Sequence, residues 1–413
     1  MISFETPKSI ANTQNVLKMV AENMMRPVAR HFDEHEKEIP WDYIHFVHEG
    51  MGVNARSFAP SQHDESRSGH APIHYQNLVF TIEMLAWGDV GVYLCTPGGG
   101  LGGAAIEATG TPEQKKRFLA RFNAEKPAFG AMAMTEPHAG SDTAAIRTRA
   151  VLDKETNEWV LNGEKIFVTG GKKALMDTNG LVVVWAMIDP NAGRSGMRPF
   201  VVEAGTPGIQ VAKTEHKMGI RASDTAALVL QDCRIPYENI LGSPEVVERN
   251  TTESGFKGAM KTFDATRPLV SASALGVARA TVEMLKQMLA EQGVEIRYGL
   301  PRQKLTAIER EVIDMEVMLQ AAWLLTIKAA WMADNGKPNP LEASMSKVKA
   351  GEIVNKITQK AVEIMGPLGY SREYLLEKWF RDAKISDIYE GTGQINRLIV
   401  ARQILGYSGR ELR

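Results

Sequence analysis

The stretch FGAMAMTEPHAGSD, residues 129–142, marks the point where the sequence changes from a helical to a β pattern. Its first six residues are predicted to form a strand that runs into a loop dense in hydroxyls and small residues. Small residues allow a planar ligand to approach closely, while hydroxyls and free backbone N–H groups bond heteroatoms. A polar turn without a ligand is the alternative interpretation of this loop.

The sequence before this stretch has mostly helical apolar spacing. Four apolar residues at helical intervals predict one helix face, made of Val16, Leu17, Val20 and Met24. Thr111, Pro112 and Gln114 form a capping-box pattern at the start of another helix. Residues 1–128 are therefore predicted to be an N-terminal helical domain.

The sequence after it continues with short apolar segments that alternate with turns. They are EWVLNGEKIFV (158–168), LVVVWAMI (181–188), PFVVEA (199–204) and AALVLQDCRI (226–235). Asn162-Gly163 is predicted to be a type I′ hairpin turn, because both residues tolerate positive φ. Since no helix-length pattern separates the strands, residues 129–243 are predicted to form a central antiparallel β-barrel or sandwich domain.

From residue 244 onward the helical period returns. The candidate helices cover roughly residues 257–292, 302–335, 340–365, 371–388 and 393–405. Long helices with short breaks predict a C-terminal four-helix-bundle domain over residues 244–413. The predicted fold class is α+β, with helical, β and helical domains in that order.

The composition is that of an ordinary globular protein, since 44% of the 413 residues are hydrophobic and 23% are charged. The 48 basic and 49 acidic residues give a formal net charge of -1, which argues against a nucleic-acid partner. Cys95 and Cys233 are the two cysteines and indicate a reducing compartment. The longest apolar run, residues 181–188, is too short to span a bilayer. Without a signal-peptide pattern, a cytoplasmic protein with no membrane contact is predicted.

Two patterns admit a cofactor or metal interpretation that the surrounding sequence does not support. Gly98–Gly103 matches G-x-G-x-x-G, but no strand precedes it, so a helix–helix loop is preferred over nicotinamide binding. His31 and His35 have helical spacing, but no third ligand stands at a recognisable distance along the chain. We therefore expect no metal site.

Six segments taken together resemble the acyl-CoA dehydrogenase family. They are TEPHAGSD (135–142), KIFVTGG (165–171), FDATRP (263–268), GPLGY (366–370), RDAK (381–384) and YEGTGQI (389–395). Each is weak alone, but all six in this order are specific, and the resemblance covers nearly the whole chain. The family fold, with a helical, a β and a helical domain, agrees with the domains predicted from the residues.

The resemblance implies an FAD enzyme of fatty acid metabolism that introduces a double bond between Cα and Cβ of an acyl-CoA thioester. Glu390 matches the family's catalytic base, which removes the α proton while a β hydride moves to the flavin. The resemblance also implies an electron-transferring flavoprotein as acceptor and a homo-oligomer, either a tetramer or a dimer. An acyl-CoA oxidase, an enoyl-CoA reductase and a non-catalytic acyl-CoA-binding member stay open as alternatives.

Matching positions in the family's motifs imply further site residues. Those expected at FAD are Met132, Met134, Thr135, Ser141, Phe167, Thr169, Arg297, Glu363, Gly366, Pro367, Thr392 and Gln394. Those expected at the acyl-CoA are Ser141, Asp264, Arg267 and Gly391. The small residues from Cys95 to Gly98 resemble the floor of the acyl pocket.

The sequence departs from the family pattern at Glu295. The family usually has an arginine here, which reaches the flavin pyrophosphate of a neighbouring subunit. An anion at this position would repel the pyrophosphate unless a cation compensates. Arg297 or Arg302 is expected to take that role. Thr306 and Glu363 also stand where the family commonly has glutamine.

Overall fold

The architecture is taken from a computed structural model, which describes residues 8–50, 73–246 and 255–407. The helices are α1 (Lys8–Val20), α2 (Ala29–Glu34), α3 (Trp41–Gly50), α4 (His74–Tyr93), α5 (Gly100–Thr109), α6 (Pro112–Leu119), α7 (Gly255–Glu291), α8 (Ala307–Asp334), α9 (Pro340–Met365), α10 (Pro367–Tyr370), α11 (Leu376–Ala383) and α12 (Gly393–Leu405). The strands are β1 (Gly130–Ala133), β2 (Arg149–Asp153), β3 (Glu158–Thr169), β4 (Leu181–Met187), β5 (Met197–Glu203), β6 (Ile209–Thr214) and β7 (Thr225–Pro236). Helical regions thus flank a central sheet, which confirms the predicted fold class.

The predicted domain boundaries fall between these elements. Residue 128 lies between α6 and β1, and residue 243 lies between β7 and α7. The boundaries themselves remain predictions. Across the described ranges, no helix combines the length and the apolar character that crossing a bilayer requires.

The central sheet has the strand order β1-β4-β2-β3-β7-β6, and β5 pairs with β4 off this path. The pairings of β2 with β3, β3 with β7, β7 with β6 and β4 with β5 are antiparallel. The sheet is therefore mainly antiparallel, as predicted. The sequence did not indicate that β4 would run parallel to β1. Parallel neighbours need a crossover connection, and here that connection contains β2 and β3.

The prediction of a hairpin turn at Asn162-Gly163 is wrong. Both residues lie inside β3, where its register against β7 shifts. Gly163 has a φ of 151°, and a Cβ there would lie 2.5 Å from Thr148 Oγ1. The glycine therefore accommodates a bulge where a neighbouring segment approaches closely. The hairpin between β2 and β3 turns at residues 154–157 instead.

The buried face of the first helix differs from the predicted face near the C-terminal end of the helix. The buried residues of this face are Leu17, Val20 and Met25. A π-helical turn over Ala21–Met25 follows α1 and adds a residue to the turn, so Met25 takes the buried position predicted for Met24. Val16, at the edge of the face, is exposed.

Capping boxes set the start of two helices. The predicted box is confirmed, since Gln114 N–H donates to Thr111 Oγ1 over 3.3 Å and Thr111 N–H donates to Gln114 Oε1 over 3.0 Å. A second box joins Thr306 and Glu309. Because Thr306 caps the helix, α8 begins at Ala307 rather than near residue 302 as predicted.

The C-terminal helices converge on α9. Helices α7, α8, α11 and α12 all pack against it. The helix predicted over residues 371–388 is shorter, because α11 ends at Ala383 and a 3₁₀ turn over Lys384–Asp387 follows. This turn leads into the loop before α12, which carries Glu390.

Helices α4 and α7 join the N-terminal and C-terminal helical regions. They meet at Gly276 of α7, where a Cβ would lie 2.2 Å from the carbonyl oxygen of Glu83 on α4. Only glycine fits so close an approach of two helices. Arg279, one turn further on, donates from Nη2 to Glu83 Oε2 over 3.0 Å and holds the two helices together.

A buried charge cluster of Lys378, Asp89 and Asp382 connects all three regions. Lys378 Nζ donates to Asp382 Oδ2 over 2.6 Å and also to Asp89, while Asp382 accepts the Ile220 N–H. Asp89 interrupts the helical geometry of α4. Burial alone would lower the pKa of Lys378, but Asp382 and Asp89 raise it above its ordinary value. The lysine therefore stays charged and joins α4, α11 and the segment before β7.

Lys378→Met is expected to lower the free energy of unfolding by about 3–5 kcal/mol, because it leaves two buried carboxylates without their cation. Thermal and urea unfolding of the purified protein measures this loss. Lys356→Met removes an exposed lysine that pairs with Glu352 and serves as the control, with little change expected. Equal unfolding midpoints for both variants would contradict the role of the cluster.

Candidate active site

A cleft lies where α4, α7, the sheet and the loop before α12 meet. It encloses ~1270 Å³ of empty space, part of it open to solvent. Its apolar wall consists of Leu78, Ile82, Leu85, Leu94, Leu101, Leu269 and Val270. Its polar lining includes Thr81, Tyr93, Thr96, Thr169, Thr266, Ser273, Tyr389 and Glu390. Among the described residues that line the cleft, Glu390 alone carries a carboxylate. The cleft therefore offers one acid in largely apolar surroundings.

Glu390 is held in the cleft by an unusual backbone conformation and a hydrogen bond. Its φ of 57° lies in the left-handed region, which a glutamate seldom adopts. Thr266 on α7 donates its hydroxyl to Glu390 Oε2 over 2.8 Å. Burial raises the pKa of Glu390, while Thr266, Arg267 and Lys347 oppose the rise. Glu390 is therefore more basic than a carboxylate in water.

Arg267 and Asp264, both expected at the acyl-CoA, form an ion pair beside this loop. Arg267 Nη1 donates to Asp264 Oδ1 over 2.8 Å, and Arg267 is 3% exposed. Burial raises the pKa of Asp264 and lowers that of Arg267, and each charge opposes the shift of the other. Gly391 lies next to Arg267, since a Cβ on Gly391 would be 3.8 Å from Nη2. Arg267 Nε is buried without a partner among the described residues and is suited to a ligand acceptor.

A buried ion pair joins the two predicted flavin segments at the ends of β1 and β3. Lys165 Nζ donates to Glu136 Oε1 over 2.7 Å and to Met134 O over 3.1 Å. Burial lowers the pKa of Lys165 to about 8, although Glu136 opposes this shift. Ile166 N–H donates to Thr135 O over 2.9 Å. The structure therefore brings the two segments together.

The ends of β1 and β3 present groups that fit a flavin ring. Phe167 is 61% exposed, with a φ of 56° where β3 is irregular. Thr135 and Thr169 supply hydroxyls, and Thr169 also lines the cleft that contains Glu390. A Cβ at Gly170 would meet no atom within 4 Å, so open space lies beside Thr169. An exposed aromatic ring with adjacent hydroxyls suits a planar ring that has polar edges.

Most residues expected at FAD do not line this cleft within the described chain. They are Met132, Met134, Thr135, Ser141, Phe167, Arg297, Glu363, Gly366, Pro367, Thr392 and Gln394. Ser141 and Gln394 are exposed, whereas Met134 is buried. Thr392 caps α12 by accepting the Ile395 N–H, and such a helix start is suited to an anion. Contact of these residues with FAD remains a prediction.

Glu363, Gly366 and Pro367 lie at the junction of α9 and α10. Gly366 ends α9 with a φ of 54°, and Pro367 begins α10. Glu363 Oε2 accepts a hydrogen bond from Lys360 Nζ over 2.6 Å. Because Lys360 balances its charge, Glu363 presents a neutral pair rather than an isolated anion at this junction.

The two arginines expected to compensate for Glu295 both bind acids. Arg297 Nε donates to Glu309 Oε1 over 2.7 Å, and Arg302 Nη1 donates to Asp314 Oδ1 over 2.7 Å. Glu295 is exposed. Arg297 Nη1 and Arg302 Nε form no hydrogen bond within the described ranges. Each arginine therefore keeps N–H donors for a further acceptor.

The glycine run at Gly98–Gly103 begins a helix. Gly100 is the first residue of α5, and helix α4, not a strand, precedes the run. This arrangement excludes the nicotinamide fingerprint, which needs a strand before the glycines. Residues 96–98 line the cleft as expected of an acyl-pocket floor, but Cys95 is buried and is not part of that lining.

His31, His35 and Glu38 come together on the surface. Their potential ligand atoms lie within 4.8 Å of one another, and all three residues are exposed. His31 Nε2 and Glu38 Oε2 are 2.7 Å apart, the geometry of a surface hydrogen bond. The expectation of no metal site stays a prediction.

Sequence reasoning missed three residues that contact the Glu390 loop. Thr266 binds the carboxylate, while Lys347 Nζ and Asn396 Nδ2 donate to the Gly391 carbonyl over 3.3 Å and 2.8 Å. Thr266 lies inside FDATRP, between two residues to which a role was given. Lys347 and Asn396 carry no local signal, because their contacts depend on helix packing.

Comparison with known proteins gives these features a common context. The N-terminal, middle and C-terminal domains of acyl-CoA dehydrogenase match residues 10–126, 131–233 and 253–405. With its helix–sheet–helix fold, the chain belongs to the acyl-CoA dehydrogenase family. It is an oxidoreductase enzyme, and its cofactor is FAD.

Similar proteins include both dehydrogenases and a reductase. The chain is 40% identical to the acryloyl-CoA reductase (NADH) of Anaerotignum propionicum over 301 residues, 73% of this chain and 72% of that protein. It is 33% identical to the short-chain specific acyl-CoA dehydrogenase of Clostridium acetobutylicum over 393 residues, 95% of this chain and 96% of the other. Butyryl-CoA dehydrogenase from Megasphaera elsdenii has a TM-score of 0.83 at 31% identity, covering 98% of this chain and 100% of that structure.

A second solved structure has the same TM-score. It is described as the electron transferring flavoprotein of Acidaminococcus fermentans, and one of its chains has a TM-score of 0.83 at 32% identity. The similarity covers 98% of this chain and 100% of that chain.

Thr266→Val is expected to move the acidic limb of acyl-CoA-dependent flavin bleaching to higher pH by about one unit. The variant loses a hydrogen bond that favours the charged carboxylate, so the pKa of Glu390 rises further. A reaction that needs ionised Glu390 is then lost at a higher pH as the pH falls. The pH dependence of the single-turnover bleaching rate measures the shift.

Thr281→Val is the matched control for this prediction. Thr281 is buried on the same helix, and its hydroxyl donates to Val277 O over 2.8 Å rather than to a carboxylate. Its acidic limb should stay in place. If the acidic limb of the bleaching rate lay at the same pH in Thr266→Val and in the unmodified enzyme, the effect of Thr266 on Glu390 would be contradicted.

Proposed function

We propose that this enzyme catalyses the FAD-dependent α,β-dehydrogenation of a short acyl-CoA thioester to the 2-enoyl-CoA. The observation that carries the proposal is the cleft in which Glu390 and Thr169 both line an otherwise apolar space. This arrangement supports a reaction in which a carboxylate base and the flavin meet at one cavity. The short-chain and butyryl-CoA dehydrogenases among the similar proteins support a short acyl group.

Glu390 acts as the base that removes the α proton. Deprotonation beside a thioester needs a carboxylate that is more basic than in water. Burial supplies this property by raising the pKa of Glu390. Leu269 and Val270 contribute apolar surface to the cleft wall, and Thr266 orients the carboxylate.

Negative charge develops on the thioester oxygen as the α proton leaves, so hydrogen-bond donors are needed there. The Glu390 N–H forms no hydrogen bond to the described residues and can donate to this oxygen. The buried Arg267 adds a positive charge beside the loop. Residues at the ends of β1 and β3, including Thr135 and Thr169, would hold FAD, and the chemistry that it would supply there is acceptance of a hydride from Cβ.

Reduction of a 2-enoyl-CoA is the second candidate, and the similarity to an acryloyl-CoA reductase favours it. The same residues would serve, because Glu390 would then deliver a proton to Cα by microscopic reversibility. Stopped-flow spectroscopy separates the two. In a dehydrogenase, acyl-CoA bleaches the oxidised flavin. In a reductase, NADH reduces the flavin, and enoyl-CoA reoxidises it faster than acyl-CoA bleaches the oxidised form. A panel of straight, branched, cyclic and aromatic thioesters defines the acyl group.

In the dehydrogenase direction, we propose an electron-transferring flavoprotein as the acceptor. The similarity to a chain from the Acidaminococcus fermentans structure supports this partner. A role in fatty acid metabolism, a cytoplasmic location and a homo-oligomer, tetramer or dimer, complete the proposal. Faster flavin reoxidation by an electron-transferring flavoprotein than by oxygen would separate a dehydrogenase from an oxidase.

Glu390→Gln is expected to retain FAD but to lower acyl-CoA-dependent bleaching by at least about a hundredfold, because an amide cannot take up the α proton. Anaerobic stopped-flow absorbance measures the rate, and the flavin-to-protein absorbance ratio measures retention. Glu352→Gln, which changes a partly exposed carboxylate of α9 that pairs with Lys356 and Arg397, is the control. Undiminished bleaching in Glu390→Gln would contradict the role of Glu390.

Arg297→Ala and Arg302→Ala test the compensation for Glu295. We expect at least one of them to weaken FAD binding about tenfold, since each keeps a donor for a phosphate. The dissociation constant of FAD, measured by flavin fluorescence, is the readout. Lys356→Met is the control for loss of an exposed cation. Unchanged FAD affinity in both arginine variants would refute the compensation.

A further inference from the structure

Lys347 lies under the loop that carries Glu390. It stands on α9 and is 1% exposed. Its Nζ donates to Ser386 O over 2.7 Å and to Gly391 O over 3.3 Å. Because Ser386 precedes Glu390 and Gly391 follows it, one ammonium group contacts the loop on both sides of the carboxylate.

This loop needs such support, because its backbone is unfavourable. Glu390 and Gly391 have φ values of 57° and 87°, so two consecutive residues are left-handed. A non-glycine residue in this region is strained and persists only where surrounding contacts fix it. Asn396 donates to the same Gly391 carbonyl over 2.8 Å. Lys347 and Asn396 together fix the carbonyl that follows Glu390.

We propose that Lys347 is a positioning residue for Glu390, because its ammonium group fixes the loop through the Ser386 and Gly391 carbonyls on either side of the carboxylate. The inference rests on the proposed role of Glu390. It assigns a function in the reaction to a buried lysine that is not among the described residues lining the cleft.

The charges around Lys347 agree with this role. Burial lowers the pKa of Lys347 to about 8, while Asp387 and Glu390 raise it and Arg267 on α7 lowers it. The Tyr389 ring centroid is 5.8 Å from Nζ. Lys347 is therefore mostly an ammonium at neutral pH. Its charge in turn lowers the pKa of Glu390 and so opposes the effect of burial.

A purely structural lysine would affect stability but would not set the pH dependence of the reaction. Removing the charge near Glu390 should raise the pKa of the base further. Proton abstraction would then be lost at a higher pH as the pH falls. Misplacing the carboxylate should also slow the chemical step at pH values where the base is fully ionised.

The experiment compares Lys347→Met, Lys347→Gln and Lys347→Arg in the FAD-loaded enzyme, with Lys356→Met as the control on the same helix. Single-turnover bleaching by butyryl-CoA is followed across pH, and the melting temperature is measured in parallel. Both neutral variants should shift the acidic limb up by about one pH unit and lower the plateau rate about tenfold. Lys347→Arg should keep the acidic limb, because it keeps the charge.

An unchanged limb and plateau in a folded Lys347→Met would overturn the proposal. If neither neutral variant folds while Lys347→Arg does, the lysine serves the fold, and the proposal is equally overturned. Glu390→Gln distinguishes the two levels of inference. Bleaching that survives in Glu390→Gln refutes the base itself, whereas an inactive Glu390→Gln beside an unaffected Lys347→Met refutes the positioning role alone.

Discussion

The contact of Lys378 with Asp89 and Asp382 is the constraint on which the arrangement of this enzyme depends. Transferring three charges from water to the interior costs several kcal/mol for each, and their mutual contacts and hydrogen bonds offset that cost only in one geometry. To reach it, α4 must leave helical geometry at Asp89, and the Ile220 N–H must point at Asp382. A misplaced region would leave an uncompensated charge, so the cluster favours one assembly of the three regions.

The active site follows from that assembly, because no region contains it alone. Helix α4 supplies one wall of the cleft, the ends of β1 and β3 supply the predicted flavin side, and α7 supplies Thr266. With α11 fixed by Lys378, the chain runs through a single 3₁₀ turn into the loop that carries Glu390. A carboxylate that is exposed on an isolated loop thus becomes partly buried, and its pKa rises as a result.

Local signals predicted the elements well, and long-range contacts decided the rest. The capping box at Thr111 and the buried strand β4 could be predicted because neighbouring residues determine them. Asn162-Gly163 has the composition of a turn, yet the approach of Thr148 makes it a bulge. Whether a glycine turns the chain or accommodates a neighbour depends on residues that local composition does not reveal.

The same division applies to the site. Glu390 was predicted through its motif, but no motif contains Lys347, whose partner Gly391 lies 44 residues further along the chain. Arg297 was predicted at the flavin pyrophosphate, whereas its partner Glu309, which belongs to the capping box of the next helix, was not predicted. Pairing of this kind depends on where a helix begins, which the sequence analysis placed several residues too early.

The contact between Gly276 and the backbone of α4 limits how substrate preference can evolve. Helices α4 and α7 supply facing apolar side chains to the cleft, including Ile82 and Leu269. Because the helices already touch at Gly276, their separation is a backbone dimension that wall substitutions do not alter. Descendants of this enzyme can change the depth and shape of the cleft by exchanging wall side chains. A wider cleft would first require a new way of joining the two helices.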